Sequence, residues 1–180
     1  MIPTDALQDP DIAGFVLRDN WSYVNPAPGV YNWSRLDAAI SKVVAAGKQF
    51  KLTIFTGVMA PDWLYQTGMQ SMNFVEEAGG MRPPGTYRMP VPWDPVMLGY
   101  YDNLLSEMSA HFGSNANLVG VNLGGPTQYS VEMHLPPEVA TQPGYSSAAI
   151  RGAWDHVLTT YAGLFPVSYT HLTLPTNREV

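Results

Sequence analysis

Apolar positions along the chain fall into blocks that alternate between strand-like and helix-like spacing. Residues 14–18 (GFVLR) form a short apolar run behind a Pro-Asp break and predict a strand. Residues 32–46 place Leu36, Ile40, Val43 and Val44 on one face at helical spacing, with Ser34 as the expected N-cap and Gly47 as the stop. Residues 50–55 (FKLTIF) are β-branched and aromatic and predict a second strand. Asp94 followed by Pro95 predicts the start of a helix that runs to Phe112 and is ended by Gly113 and Asn115. Residues 118–123 (LVGVNL) predict a third strand and residues 146–164 a further helix, and Phe165-Pro166 opens what reads as a fourth strand.

Two segments break this rhythm. Residues 56–93 and 124–145 are rich in Gly, Pro and aromatics and read as irregular loops. Loops this long inside one domain usually carry function. Strand–helix alternation implies βαβ units and a parallel sheet with right-handed crossovers. Both long loops follow strands, whereas the helix-to-strand connections are short. That asymmetry is expected of a (β/α) barrel whose site lies at the C-terminal face. An open α/β sheet with ligands at the same strand ends fits the spacing as well.

Composition narrows the function classes. Hydrophobic residues make up 46% of the chain and charged residues only 13%, which argues for a packed core and against disorder. Aromatics reach 12%, more than a small core needs, so some are expected to line a groove. A net charge of −6 disfavours nucleic acid as a partner, because a phosphate binder needs clustered Lys and Arg. There is no cysteine, so disulfides and thiolate chemistry are excluded. No apolar run approaches the roughly 20 residues of a membrane-spanning helix, and no signal peptide is visible. The four histidines have no metal-ligand spacing, and no glycine-rich turn runs straight into a helix, so neither a metal nor a cofactor is expected.

Three stretches carry candidate chemistry. The first, GFVLRDNWSYVNPAPGVYNWSRLD, contains Arg18, Trp21, Pro26, Gly29, Tyr31, Trp33, Leu36 and Asp37. Arg18 at a strand end is suited to hold a carboxylate through a bidentate pair. Trp21 offers a flat ring for stacking a ligand, whereas Tyr31 and Trp33 are expected to pack the loop on the helix. The second, GVMAPDWLY, offers Trp63 as a stacking residue or a pocket floor. The third, GVNLGGPTQYSVEMHLPP, offers Glu132 as a proton donor, with Tyr129 and His134 beside it. A loop Glu held in a structural ion pair is the competing reading of Glu132.

Together the three stretches resemble the barrel glycoside hydrolases of clan A, including the galactosidase-like ones. The first matches their R-x-x-W-x-x-x-x-P-x-x-G-x-Y-x-W-x-x-L-D pattern and the second their P-x-W-L motif. The third lacks their usual Asn-Glu pair directly after the strand and resembles instead a G-P-x-x-E-x-x-x-P segment of amylase-like barrels. The resemblance implies a partial (β/α)8 TIM barrel, three to four β/α units long, that takes carbohydrate. It implies Glu132 as general acid/base of a retaining O-glycosidase, with Arg18, Trp21, Trp63, Tyr129 and His134 binding substrate. The chemistry takes a second carboxylate, which these families carry on a late strand. Asp19, beside Arg18, is the best of the poor substitutes in this chain, so little or no hydrolysis is expected. A carbohydrate-binding unit without catalysis and an inactive fragment are the alternatives.

The last residues stand apart. Residues 167–180 (VSYTHLTLPTNREV) have no helical period and too many Thr and Pro for a buried strand. They resemble a translated sequencing-library adapter, so the expected division is a barrel domain over 1–166 and a non-native tail over 167–180. A barrel needs eight strands and about 250 residues. A shorter sheet has open edges, and a homo-oligomer, such as a dimer formed through those edges, is expected.

Overall fold

Leu17, Leu52 and Ile54 point the same way from neighbouring strands and are almost fully buried, which fixes one face of a parallel sheet against helices. The computed structural model describes residues 2–80, 82–127 and 132–165. In chain order the elements are α1 (Thr4–Gln8), β1 (Gly14–Asn20), α2 (Trp21–Val24), α3 (Ser34–Ala45), β2 (Gln49–Phe55), β3 (Ser71–Glu76), β4 (Gly85–Pro90), α4 (Pro95–Phe112), β5 (Leu118–Val121) and α5 (Ser147–Leu164). The three-stranded sheet has the order β1-β2-β5, with both pairings parallel. This is the α/β plan the alternating blocks predicted.

The helices cover one face only. Leu36, Ile40 and Val43 of α3 join Met97, Tyr101, Leu104, Leu105 and Met108 of α4 and Val157 and Tyr161 of α5 in a single core under the sheet. Burial of apolar surface on this side is the main stabilising term, at roughly 25 cal/mol per Å². On the opposite face Val16 is 45% exposed, and Arg18 and Lys51 are exposed. A parallel sheet is ordinarily covered on both faces. The open face here is the one that lines the interior when such a sheet closes into a barrel.

Local chemistry explains most element ends. Asp94 caps α4 by accepting from the N–H groups of Val96 and Met97, and Pro95 occupies the first helical position. Ser146 caps α5 by accepting from the Ala149 N–H at 3.0 Å. The cap expected of Ser34 is corrected: Ser34 lies inside α3, and the Asn32 side chain accepts from its N–H at 3.1 Å. Phe165, expected to open a fourth strand with Pro166, is instead the C-cap of α5, and Pro166 and the segment 167–180 lie outside the described residues.

The larger correction concerns residues 56–93, expected to be irregular. Two short 3-10 turns, Gly57–Met59 and Asp62–Gln66, lead into an antiparallel hairpin in which β3 pairs β4 from Ser71↔Pro90 to Glu76↔Gly85. Met72, Phe74 and Met89 on its inner side form a second cluster with Leu135 and Val139. The hairpin therefore leans on the loop that follows β5. Among the described residues no helix is long and apolar enough to cross a membrane.

Candidate active site

The C-terminal ends of β2 and β5 lie side by side in the parallel sheet. At the end of β2, Thr56 is 1% exposed and turns both its N–H and its hydroxyl to the Glu132 carbonyl, at 2.8 and 2.7 Å. Gly57 follows with φ +56, and a Cβ there would meet the Met133 backbone at 3.6 Å. Only glycine takes that backbone angle at little cost. The loop after β5 is folded back on itself: Thr127 and His134 form an isolated parallel bridge, and Leu135 N–H donates to the Thr127 carbonyl at 2.9 Å. Glu132 is thereby carried to the end of β2 by its backbone and is half-buried there.

Behind the end of β5 lies a buried tyrosine pair. The hydroxyls of Tyr101 and Tyr161 are 2.9 Å apart. Tyr161 donates to the Asn122 carbonyl at 3.3 Å and accepts from the Gly124 N–H at 3.4 Å. Burial pushes Tyr161 up to about 12, with the Glu132 charge a smaller contribution in the same direction. Tyr101 is pushed well above its ordinary value by the same desolvation.

The glycines of the GGP segment are required by close packing rather than by a phosphate. A Cβ on Gly124 would lie 2.5 Å from the Tyr101 hydroxyl, and one on Gly125 would lie 2.4 Å from the Trp154 ring. The Trp154 indole N–H then donates to the Pro126 carbonyl at 2.7 Å.

The other candidate residues divide between site and scaffold. Trp63 is half-buried against the core; its indole N–H donates to the Asn25 carbonyl at 2.9 Å and its ring meets Tyr100 edge-on. His134 lies 6.4 Å from the Phe74 ring, with Nδ1 buried and unpartnered among the described residues. Arg18 sits on the open face with its guanidinium 5.9 Å from the Phe55 ring centroid. Tyr129 lies outside the described residues. Trp21 is a correction: it is 0% exposed, packed on Tyr101, and donates to the Asn25 side chain at 3.2 Å. A ring enclosed on all sides has no face to offer a sugar.

That bond gives the first motif a structural purpose. Asn25 also donates to the Ala27 and Val30 carbonyls at 2.8 and 2.9 Å, and so closes the Pro-Gly loop before α3. Tyr31 stacks on Trp33, and Trp33 meets Phe112 edge-on, as packing residues do. Asp19 faces the helices rather than the open side, 4% exposed and 3.4 Å from Arg35 of α3. His156 is satisfied by Asp102 at 2.8 Å. Sequence reasoning missed Thr56 and the tyrosine pair. A Thr-Gly step ending a strand was the one available signal for Thr56.

Comparison with known proteins identifies the lineage. The family model of glycoside hydrolase family 42, described as beta-galactosidase, matches residues 16–133. The chain belongs to this family. A beta-galactosidase of Bifidobacterium bifidum, BbgII, is 31% identical over 100 residues, which is 56% of this chain and 14% of that protein. This family 42 chain also superposes on an exo-beta-1,4-mannosidase of an Opitutaceae bacterium with a TM-score of 0.54 at 18% identity, over 84% of this chain and 23% of that one. An endo-glycoceramidase II of Rhodococcus sp. gives 0.53 at 17% identity, over 89% of this chain and 44% of that one. The likenesses to solved structures establish the fold, part of a (β/α)8 barrel. The chain spans about one seventh of the curated relative's length.

Proposed function

We propose that this family 42 chain forms part of a carbohydrate-acting barrel in which Glu132 is the general acid/base toward a β-galactoside-type substrate. The observation that carries the reading is the double hydrogen bond from Thr56 to the Glu132 carbonyl, at 2.8 and 2.7 Å. It holds the backbone of Glu132 at the strand-end side of the sheet, the side on which barrel enzymes react. In this reading Glu132 protonates the glycosidic oxygen as the bond breaks and then deprotonates the attacking water. Trp63, fixed through its N–H, offers its ring to the sugar's apolar face. Arg18 and His134 line the approach, and Tyr129 belongs to the same segment. The nucleophilic carboxylate comes from parts of the family's barrel that this chain does not span. Residues 1–166 make up the barrel unit in this reading and 167–180 a foreign tail.

Asp19 favours a second reading. The best alternative carboxylate in the first motif is turned away from the open side and held by Arg35, which suits a unit that binds sugar without cleaving it. The two readings separate in one assay. An aryl β-galactoside is incubated with the wild-type chain and with Glu132→Gln, and sugar binding is followed in parallel. Weak turnover abolished by Glu132→Gln supports the acid/base role. Binding without turnover supports the second reading. Turnover that persists unchanged in Glu132→Gln rejects the site.

A further inference from the structure

The apolar side chains that follow Glu132 are shared between two separate cores. Met133 is 1% exposed and belongs to the core under the sheet. Leu135 and Val139 belong instead to the second cluster, whose other buried members, Met72, Phe74 and Met89, all come from the β3–β4 hairpin. The three parts converge at the end of β2: a Cβ on Gly57 would meet the Met133 backbone at 3.6 Å, the Met89 side chain at 3.8 Å and the His134 nitrogen at 3.9 Å. The segment from Glu132 to Val139 is therefore held on one side by the body of the chain, through Thr56, and on the other by the hairpin.

The hairpin is stiff in itself and fixed at its base. Its ladder runs from Ser71↔Pro90 to Glu76↔Gly85. Near its tip Arg82 lies over the Phe74 and Tyr87 rings, at 6.0 and 5.9 Å, and pairs with Glu76 at 3.4 Å, both side chains being buried. At the base the Gln70 N–H donates to Asp94, the cap of α4, at 3.1 Å, and the Gln70 carbonyl accepts from the Val91 N–H at 2.9 Å. The joint with the Glu132 segment is weaker. The Val75 N–H reaches Glu138 Oε1 only at 3.4 Å, and the Phe74 and His134 rings are tilted at 6.4 Å. Glu138 Oε2 and His134 Nδ1 are buried there without a hydrogen-bond partner, two of the three such side-chain atoms among the described residues. A buried polar atom without a partner costs stability and regains hydrogen bonds in water when exposed. Apolar burial closes this joint and polar desolvation opposes it, the balance that lets an element open locally.

We propose that the β3–β4 hairpin is a latch on the Glu132 segment. Docked, it fixes residues 132–139 beside the end of β2. Undocked, it swings on its base as one body, frees those residues and leaves the core under the sheet intact. Phe74 and Glu138 are the positioning residues of the joint, and neither has to touch substrate. The functional consequence, that presentation of the Glu132 carboxylate follows the docking of the hairpin, rests on the acid/base reading above. The latch itself rests on the packing alone.

The test is hydrogen exchange of the full chain, read by mass spectrometry. β3, β4 and residues 132–139 are expected to exchange together, and faster than β2 and α4. Phe74→Ala is expected to speed exchange over 132–139 by at least about ten-fold while β2 and α4 stay as in the wild type. Phe74→Leu keeps most of the apolar volume and should give the same pattern at smaller amplitude. Faster exchange in the hairpin with 132–139 unmoved in both variants overturns the latch. A rise spread equally over β2 and α4 in both variants overturns it too, because the hairpin then belongs to the main core. Turnover of an aryl β-galactoside separates the latch from the reading of Glu132. A kcat that falls in Phe74→Leu at unchanged KM, alongside coupled exchange, supports both. Coupled exchange without turnover, or with turnover that ignores Glu132→Gln, keeps the latch and removes the consequence drawn for Glu132.

Discussion

Thr56 holds the Glu132 carbonyl with two donors at once, its N–H at 2.8 Å and its hydroxyl at 2.7 Å, across 76 residues of sequence. The hydroxyl belongs to a residue that is 1% exposed, so its removal strips a buried acceptor of one partner. Thr56→Val is expected to cost about 1–2 kcal/mol in urea denaturation, because only the neutral hydrogen bond is lost while shape is kept. Thr56→Ser keeps the donor and is expected to recover most of that loss. A Thr56→Val chain as stable as the wild type would mean that the loop finds its place without the clasp.

The close approach of Gly125 to Trp154 gives a second expectation. A methyl at Gly125 would lie 2.4 Å from the indole, and Trp154 cannot retreat without breaking its bond to the Pro126 carbonyl. Gly125→Ala is expected to destabilise the chain by about 1–3 kcal/mol through overpacking. Gly152→Ala serves as the control, since nothing lies within 4 Å of a Cβ there. Thermal unfolding followed by circular dichroism should show a lowered midpoint for the first variant and an unchanged or raised one for the second.

What was legible in the chain and what was not follows a physical line. Asp94-Pro95 announced α4 because capping is a local event decided by adjacent residues. β1 and β2 were legible because an apolar strand against helices leaves a dense run of large residues. The β3–β4 hairpin was not. Its period-2 alternation sits between Gly-, Pro- and Met-rich turns, and its cluster partners Leu135 and Val139 lie far along the chain. Trp21 was misread for a related reason. Its local partner Asn25 is visible in sequence, but its burial is decided by Tyr101 on a later helix. The segment around Glu132 was half legible: Glu132 stood out by type, whereas the hold of Thr56 on its carbonyl is a contact no local pattern records.

The tyrosine pair makes a prediction about alkaline pH. Tyr161 is raised to about 12 and Tyr101 well above its ordinary value, both chiefly by burial. Their unfolded values are near 10. The folded state thus favours the neutral form, and its advantage is fully present below pH 10. Above pH 10 the unfolded chain ionises first, so stability falls as pH rises through the window from about 10 to 12. The slope is about 1.4 kcal/mol per pH unit for each tyrosine. Guanidinium denaturation at pH 9 and pH 11 should show this drop in the wild type. Tyr161→Phe should lessen it, and the double variant Tyr101→Phe/Tyr161→Phe should leave what Tyr65, also raised to about 12, and the smaller rise of Tyr31 contribute. An equal drop in the double variant would assign the loss elsewhere.

The sheet edges lead to a prediction about assembly. Among the described residues β1 and β5 are the outer strands, so each has one side without a strand partner. The face that closes inward in a barrel is open here, with Val16 45% exposed between Arg18 and Lys51. Unpaired strand edges beside exposed apolar surface favour pairing with another copy. The chain is therefore expected to self-associate, as a dimer or larger, in size-exclusion chromatography coupled to light scattering. Val16→Lys adds charge to a face that already carries Arg18 and Lys51, and like charges brought together oppose association. It should shift the population toward monomer while leaving the core, which lies on the other side of the sheet, intact. A wild-type chain that stays monomeric across a wide concentration range would show that the open face and both edges are tolerated in water as they stand.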